Sequence, residues 1–196
     1  YGRNTEVAMA GQCAAVNIRH WAAQEIPRGS VLTLPGYFEP AQWFVCKLRL
    51  LEHETCFLKN AARITFHTGT SEVPATAYLM EGDRATRGTE CLVQVRLERP
   101  IVAGPTDRFI LRTQSPPVTI GGGMVIEAIP GRLNRNHPEI IADLQERSGA
   151  VQDETAFAEY CLKRAATVAV AESAIAHRAK VLPKRLQEIV RDLVAK

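Results

Sequence analysis

The chain has 196 residues, of which 46% are hydrophobic and 23% charged, the balance of a globular protein that can fold without disulfides. Its 24 basic and 21 acidic side chains leave a net charge of +3, which excludes a polybasic nucleic-acid tail and an acidic disordered segment. Residues 1–130 carry 13 basic and 12 acidic side chains and residues 131–196 carry 11 and 9, so any RNA contact must come from local clusters.

Up to residue 130, apolar residues come in short runs punctuated by Gly and Pro. Cys13–Ile18, Val31–Leu34, Trp43–Leu51, Arg63–Phe66, Thr76–Leu79, Cys91–Leu97, Phe109–Arg112 and Met124–Ile129 read as strands, several with period-2 alternation. Turn signals such as Leu34-Pro35-Gly36, Glu81-Gly82-Asp83 and Ala103-Gly104-Pro105 separate them. Many short strands without intervening helices predict an all-β barrel or sandwich.

After residue 130 the period becomes helical. Pro138 opens a helix with Ile140, Ile141 and Leu144 on one face, and Phe157, Tyr160, Cys161 and Arg164 repeat that spacing. A short helix at Ala171–His177 and the connector Arg178–Leu182 precede Pro183, which opens the clearest apolar stripe, Leu186, Ile189, Val190 and Leu193. That pair reads as a helix-turn-helix, the heart of a winged-helix unit. Pro130–His137 is read as a hinge. The expected class is therefore mainly β followed by α.

Five cysteines, Cys13, Cys46, Cys56, Cys91 and Cys161, stand at least ten residues apart with no metal-ligand spacing, which favours free thiols in a reducing cytosol over a zinc site. The chain begins at Tyr1 without a leader or a long apolar run, and is read as an excised portion of a cytoplasmic protein.

Four stretches together resemble one family. Ala10-Gly11-Gln12-Cys13-Ala14-Ala15-Val16-Asn17-Ile18-Arg19, followed by Ile26-Pro27-Arg28-Gly29-Ser30-Val31-Leu32, is similar to the end of the second domain of translational GTPases. Phe66-His67-Thr68-Gly69-Thr70-Ser71-Glu72-Val73 resembles a signature in the third domain of selenocysteine-specific elongation factors. Asp107-Arg108-Phe109-Ile110-Leu111-Arg112 and Thr119-Ile120-Gly121-Gly122-Gly123 resemble the last two strands of that domain. The helices after residue 130 resemble the start of that family's winged-helix array, where elongation factor Tu normally ends soon after its Gly-rich strand. Each motif is weak alone; their order over nearly the whole chain is specific.

The resemblance implies translation-factor β-barrels: residues 1–36 from the end of a truncated second-domain barrel, residues 37–130 a complete third-domain barrel, and residues 131–196 a helical linker entering the first winged-helix domain. It implies selenocysteinyl-tRNA and the ribosome as partners, with an mRNA recoding hairpin bound through further C-terminal domains. No Gly-x-x-x-x-Gly-Lys-Ser/Thr loop or Asn-Lys-x-Asp element occurs, so GTP and Mg would belong to an absent G domain, and no cofactor or catalysis is expected of this portion.

By the same resemblance, Cys13 and Asn17 occupy aminoacyl-pocket positions. Where the family places a basic residue against the anionic selenolate, this chain has Cys13, whose thiol supplies no positive charge. Either Arg3 or Arg19 substitutes, the missing half of the barrel provides the charge, or specificity is relaxed; the preferred reading of Cys13 is a small residue on a packed strand. Arg63 and Pro74 lie where the third domain of related factors meets the tRNA T stem. The loop Thr113–Val118, with Arg112, Ser115 and Thr119, is the second candidate contact, because duplex RNA is gripped through phosphates and 2′-hydroxyls. His67 is read as a structural turn residue, Gly121–Gly123 as allowing close strand packing or a bulge, and Trp21 and Trp43 as inter-barrel packing residues, with a stacking platform for a base as the other reading. Lys180, Lys184, Arg185 and Arg191 form a basic side diluted by Glu188 and Asp192, read as a solvated spacer face. Two other readings remain open: the barrels of a general translational GTPase, and a protein-binding barrel with a helical dimerisation tail.

Overall fold

The computed structural model describes residues 5–9, 11–19, 21–22, 25–165 and 170–195. Eight strands come first: β1 (Ala41–Leu50), β2 (Phe57–Lys59), β3 (Ala62–Thr68), β4 (Ser71–Leu79), β5 (Arg84–Thr86), β6 (Glu90–Ile101), β7 (Arg108–Arg112) and β8 (Thr119–Ile129). Four helices follow: α1 (Pro138–Ala150), α2 (Glu154–Ala165), α3 (Glu172–Ala179) and α4 (Pro183–Val194). The expected order of β then α is the observed one.

Six strands close an antiparallel barrel in the order β1-β6-β4-β3-β7-β8. Alternation sends Phe44, Cys46, Leu48 and Leu50 of β1 inward with Ile64 and Phe66 of β3, Val93, Val95 and Leu97 of β6, and Phe109 and Leu111 of β7. Phe66 and Phe109 stack with centroids 5.0 Å apart inside this core. The two-stranded β2-β5 sheet adds Leu58 and Ala85 to the same core.

The Gly run on β8 has a steric cause. A Cβ on Gly121 would stand 2.6 Å from the Arg49 carbonyl oxygen, and one on Gly122 the same distance from that of Phe109. Gly123 lies closer still to the Lys47 carbonyl. Only glycine lets β8 seat between β1 and β7, so this run serves strand packing, as read from the sequence.

On the opposite face of β1 and β8, Val45, Ile126 and Ile129 pack with Met80 and with Leu144 of α1. Both faces of these strands are therefore covered, which explains their near-continuous apolar sequence. Met124 joins a third cluster with Phe157, Ala158 and Cys161 of α2, Ala176 of α3, and Leu186 and Ile189 of α4. The helices are thus docked on the barrel wall. Pro138 and Pro183 begin their helices as predicted, and Lys180 ends α3 in the left-handed conformation at φ 56°.

Two expectations change. Cys13–Ile18 and Val31–Leu34 form no strands, and their side chains are almost all exposed. Strands need partners to satisfy their edges, and none of the described residues pairs with these segments. The turn at residues 27–30 nevertheless reaches the β3–β4 hairpin, where Arg28 Nε donates to the Thr70 carbonyl at 3.1 Å. The segment read as a hinge, Pro130–His137, is strapped down. Gln94, fully enclosed, donates to the Leu133 carbonyl at 2.9 Å and accepts from its N–H at 2.8 Å. Arg135 donates to the carbonyls of Leu79 and Gly82, and the Asn136 N–H donates to that of Met80 at 2.8 Å. Gly and Asn suggested freedom there, but their neighbours spend it on hydrogen bonds.

Candidate nucleic-acid interface

Strand β3 is the centre of the candidate face. Ile64, Phe66 and Thr68 point inward, so Arg63, Thr65 and His67 point out. Thr65 pairs with Pro74 on β4 and with Arg112 on β7, and Arg112 pairs with Thr119 on β8. Pro74, Thr65, Arg112 and Thr119 therefore make one cross-strand row, about 14 Å long at ~4.8 Å per strand. Arg63 lies one outward step along β3 from Thr65. The row and Arg63 beside it bring together four of the residues singled out from the sequence, and Thr65 is the member that reading missed.

The fifth, Ser115, is exposed in the loop that joins β7 to β8. This loop is closed internally: the Thr113 N–H donates to the Val118 carbonyl at 2.9 Å, and the Val118 N–H donates to Thr113 Oγ1 at the same distance. Arg112 Nη2 donates to the Pro117 carbonyl at 2.8 Å, while its Nε is enclosed without a partner. A guanidinium tied at Nη2 and enclosed at Nε is held in place on the row. The loop is thus fastened back onto the row.

His67 does not bond the turn beside Gly69. It sits on the same outer face with Nδ1 4.0 Å from Glu72 Oε2 and Nε2 enclosed without a partner. Cys13 and Asn17 are exposed and lie on the unpaired N-terminal stretch, so the structure does not bring them to this row. Arg19 is exposed on the same stretch, and Arg3 lies outside the described residues. Trp21 is 60% exposed and packs no barrel, because its segment forms no strand. Trp43 is half-buried and stacks on Tyr78 at 5.8 Å.

A second constellation joins barrel to helices. Glu127 of β8 accepts from Arg147 Nη1 of α1 at 2.8 Å and from Arg178 Nε of α3 at 2.9 Å. Arg147 also reaches Asp143 at 2.7 Å and the Tyr160 hydroxyl of α2 at 2.9 Å, and that hydroxyl donates to Asp143 at 2.8 Å. Arg164 closes the cluster on Asp143 and Glu146. Three carboxylates meet three guanidinium groups, so the charge balances locally. Burial opposes the Arg147 charge, yet Glu127, Tyr160 and Asp143 together hold its pKa above the ordinary value. Burial, then the hydrogen bond to Asp143, raises that of Tyr160. Such a network specifies orientation more than it stabilises, because desolvation offsets much of the attraction. One signal in the sequence pointed to it: a single carboxylate, Glu127, inside the apolar strand Met124–Ile129.

The basic side expected on the helix-turn-helix is altered. Lys180 is half-buried, donates from Nζ to the Tyr37 carbonyl at 2.6 Å and accepts from the Tyr37 hydroxyl at its own carbonyl. Burial lowers its pKa. Arg185 pairs with Glu154 and Glu188, each at 3.0 Å, whereas exposed Lys184 and Arg191 have no ion pair among the described residues. A cleft of about 450 Å³ between the 38–43 segment and α3 is lined by Gln42, Trp43, Glu127, His177 and Lys180. It holds no paired nucleophile and base. Among the described residues no three His, Cys, Asp or Glu side chains group as metal ligands, and no helix is long and apolar enough to cross a membrane. All five cysteines are free; Cys46, Cys56 and Cys161 are buried and Cys13 is exposed.

Comparison with known proteins agrees with this architecture. Residues 46–132 match the family model described as the β-barrel domain of selenocysteine-specific elongation factors. The chain is 31% identical over 189 residues to a selenocysteine-specific elongation factor of Desulfomicrobium baculatum. The match takes in 95% of this chain and 30% of that relative's length.

Proposed function

The barrel of this chain belongs to the β-barrel domain family of selenocysteine-specific elongation factors, and from that premise we propose that its outer face holds selenocysteinyl-tRNA. The observation that carries the reading is the row Pro74–Thr65–Arg112–Thr119 with Arg63 beside it. It offers outward guanidinium and hydroxyl donors on the barrel wall, the groups that grip an RNA duplex through phosphate and 2′-hydroxyl oxygens. The surface reads shape and charge, not base sequence. Its contribution in this reading is binding; among the described residues of the face no acid, base or nucleophile is arranged for chemistry.

The docked helices complete the reading. The Gln94–Leu133 strap and the Glu127 cluster fix the helical segment on the barrel, so the chain acts as a stiff link between a tRNA-holding body and an arm that approaches the mRNA. In this reading the helix-turn-helix of α3 and α4 begins a winged-helix array, the protein works on the ribosome in the cytoplasm, and GTP and Mg are bound by a separate domain. Cys13 and Asn17 belong to the aminoacyl pocket.

The test is binding of the full-length protein to selenocysteinyl-tRNA and seryl-tRNA, with Arg63→Gln and Arg112→Gln variants. Both variants should weaken both ligands about equally, because the face contacts the RNA body and not the amino acid. Unchanged binding in both variants would overturn the assignment of the face. Equal affinity of the unaltered protein for the two tRNAs would remove selenocysteine specificity and point to Cys13.

A further inference from the structure

A second cross-strand row runs beside the first. Thr76 on β4 pairs with Arg63 on β3 and with Arg96 on β6, and Arg96 pairs with Trp43 on β1. Since Ala75, Ala77, Val95 and Leu97 point into the core, Thr76 and Arg96 point outward with Arg63. Two arginines thus flank one hydroxyl, about 10 Å apart at ~4.8 Å per strand.

Several other outward arginines of the barrel are engaged: Arg49 with Glu52, Arg87 with Glu54, Arg84 over the Phe57 ring. Arg63 and Arg96 are exposed and, among the described residues, have no hydrogen-bond or ion-pair partner. A third guanidinium stands nearby, since Arg132 lies 4.7 Å from the centre of the Tyr78 ring. Tyr78 is the next outward residue after Thr76 on β4, and its ring stacks on Trp43. The strip therefore combines three guanidinium groups and a hydroxyl on a rigid sheet, backed by an aromatic pair that fixes Arg132.

We propose that Arg96 and Thr76, with Arg63 and Arg132, bind the phosphate backbone of RNA, extending the tRNA-contacting surface from β3 across β4 to β6. The inference rests on the reading that the barrel face holds tRNA. Charge complementarity decides the occupant: Arg63 and Arg96 flank Thr76 without an ion-pair partner among the described residues, and a duplex backbone presents anions in series. Glu98, the next outward residue after Arg96 on β6, bounds the strip on that side. Arg63 belongs to this second row and stands one outward step along β3 from Thr65 of the first, so the two rows adjoin on β3 and β4.

The experiment is binding of selenocysteinyl-tRNA to the full-length protein from 50 to 200 mM salt. It compares Arg96→Gln with Arg112→Gln on the first row and with Arg87→Gln as a control. Arg96→Gln should weaken binding about fivefold at the higher salt and reduce the log–log salt slope by about one. Arg87→Gln should bind as the unaltered protein does. If Arg112→Gln weakens binding and Arg96→Gln does not, the strip is overturned while the first row stands. If neither variant weakens binding, the tRNA reading itself fails. Loss of ribosome association with intact tRNA binding in Arg96→Gln would also overturn the proposal, assigning the strip to the ribosome instead.

Discussion

The amide of Gln94 on β6 closes a two-bond ring with the backbone of Leu133, which lies 39 residues later in the segment leading to α1. One enclosed side chain satisfies both the N–H and the carbonyl of a residue outside any ladder. Gln94→Leu keeps the volume but orphans both backbone groups, so a loss of about 1–3 kcal/mol is expected. Urea unfolding reads the loss, and hydrogen exchange at the Leu133 amide should accelerate. Unaltered exchange there would show that the strap does not depend on Gln94.

Glu127 receives guanidinium groups from two helices at once. Glu127→Ala leaves Arg147 and Arg178 half-buried without their main counter-charge, a cost of about 2–4 kcal/mol. A double-mutant cycle of Glu127→Gln with Arg178→Ala should give a coupling of about 1–2 kcal/mol. Zero coupling would mean that apolar packing alone docks α3.

The Gly123 position has no room for a methyl group against the Lys47 carbonyl, whereas a Cβ on Gly131 meets nothing within 4 Å. Gly123→Ala should destabilise the barrel by about 3 kcal/mol, because β1 and β8 must separate. Gly131→Ala should leave the melting temperature nearly unchanged. Equal melting temperatures for the two variants would contradict the close seating of β8.

Alkaline pH should unfold the protein progressively. Tyr160 has its pKa raised above 10.0 by burial and then by Asp143, and Cys161 is pushed up by burial from 9.0 to about 11. In each window the unfolded chain has lost a proton that the folded chain keeps. The contribution to stability is whole below the unfolded pKa and disappears as pH rises through the folded one. Urea midpoints should therefore fall from pH 9 to pH 11, and Tyr160→Phe should fall less steeply. Lys180, whose pKa burial lowers, works in the opposite direction and moderates the slope. An equally steep fall in Tyr160→Phe would remove the phenol from the account.

Strand and helix identities were legible because they are written in local periods. Alternation in β6 and β7 and the stripe Leu186–Leu193 each need only one segment's residues to be read. Pro74 shortened the expected strand before Thr76, although β4 runs from Ser71 through it. The short β2 and β5 carried too few residues to show a period.

The sequence by itself determined the class, the barrel followed by helices, the openings at Pro138 and Pro183, and the reason for a glycine run. Only the tertiary structure decided which outward residues stand side by side. It set Thr65 between Pro74 and Arg112, Thr76 between Arg63 and Arg96, and Glu127 between Arg147 and Arg178. It also turned a Gly- and Asn-bearing segment from an expected hinge into a strap, and left Cys13–Ile18 and Val31–Leu34 without strand partners. The physical reason is common to these cases. A periodic pattern records which face a residue buries, whereas register, polar pairing and edge satisfaction are relations between segments tens of residues apart, formed only when the barrel closes.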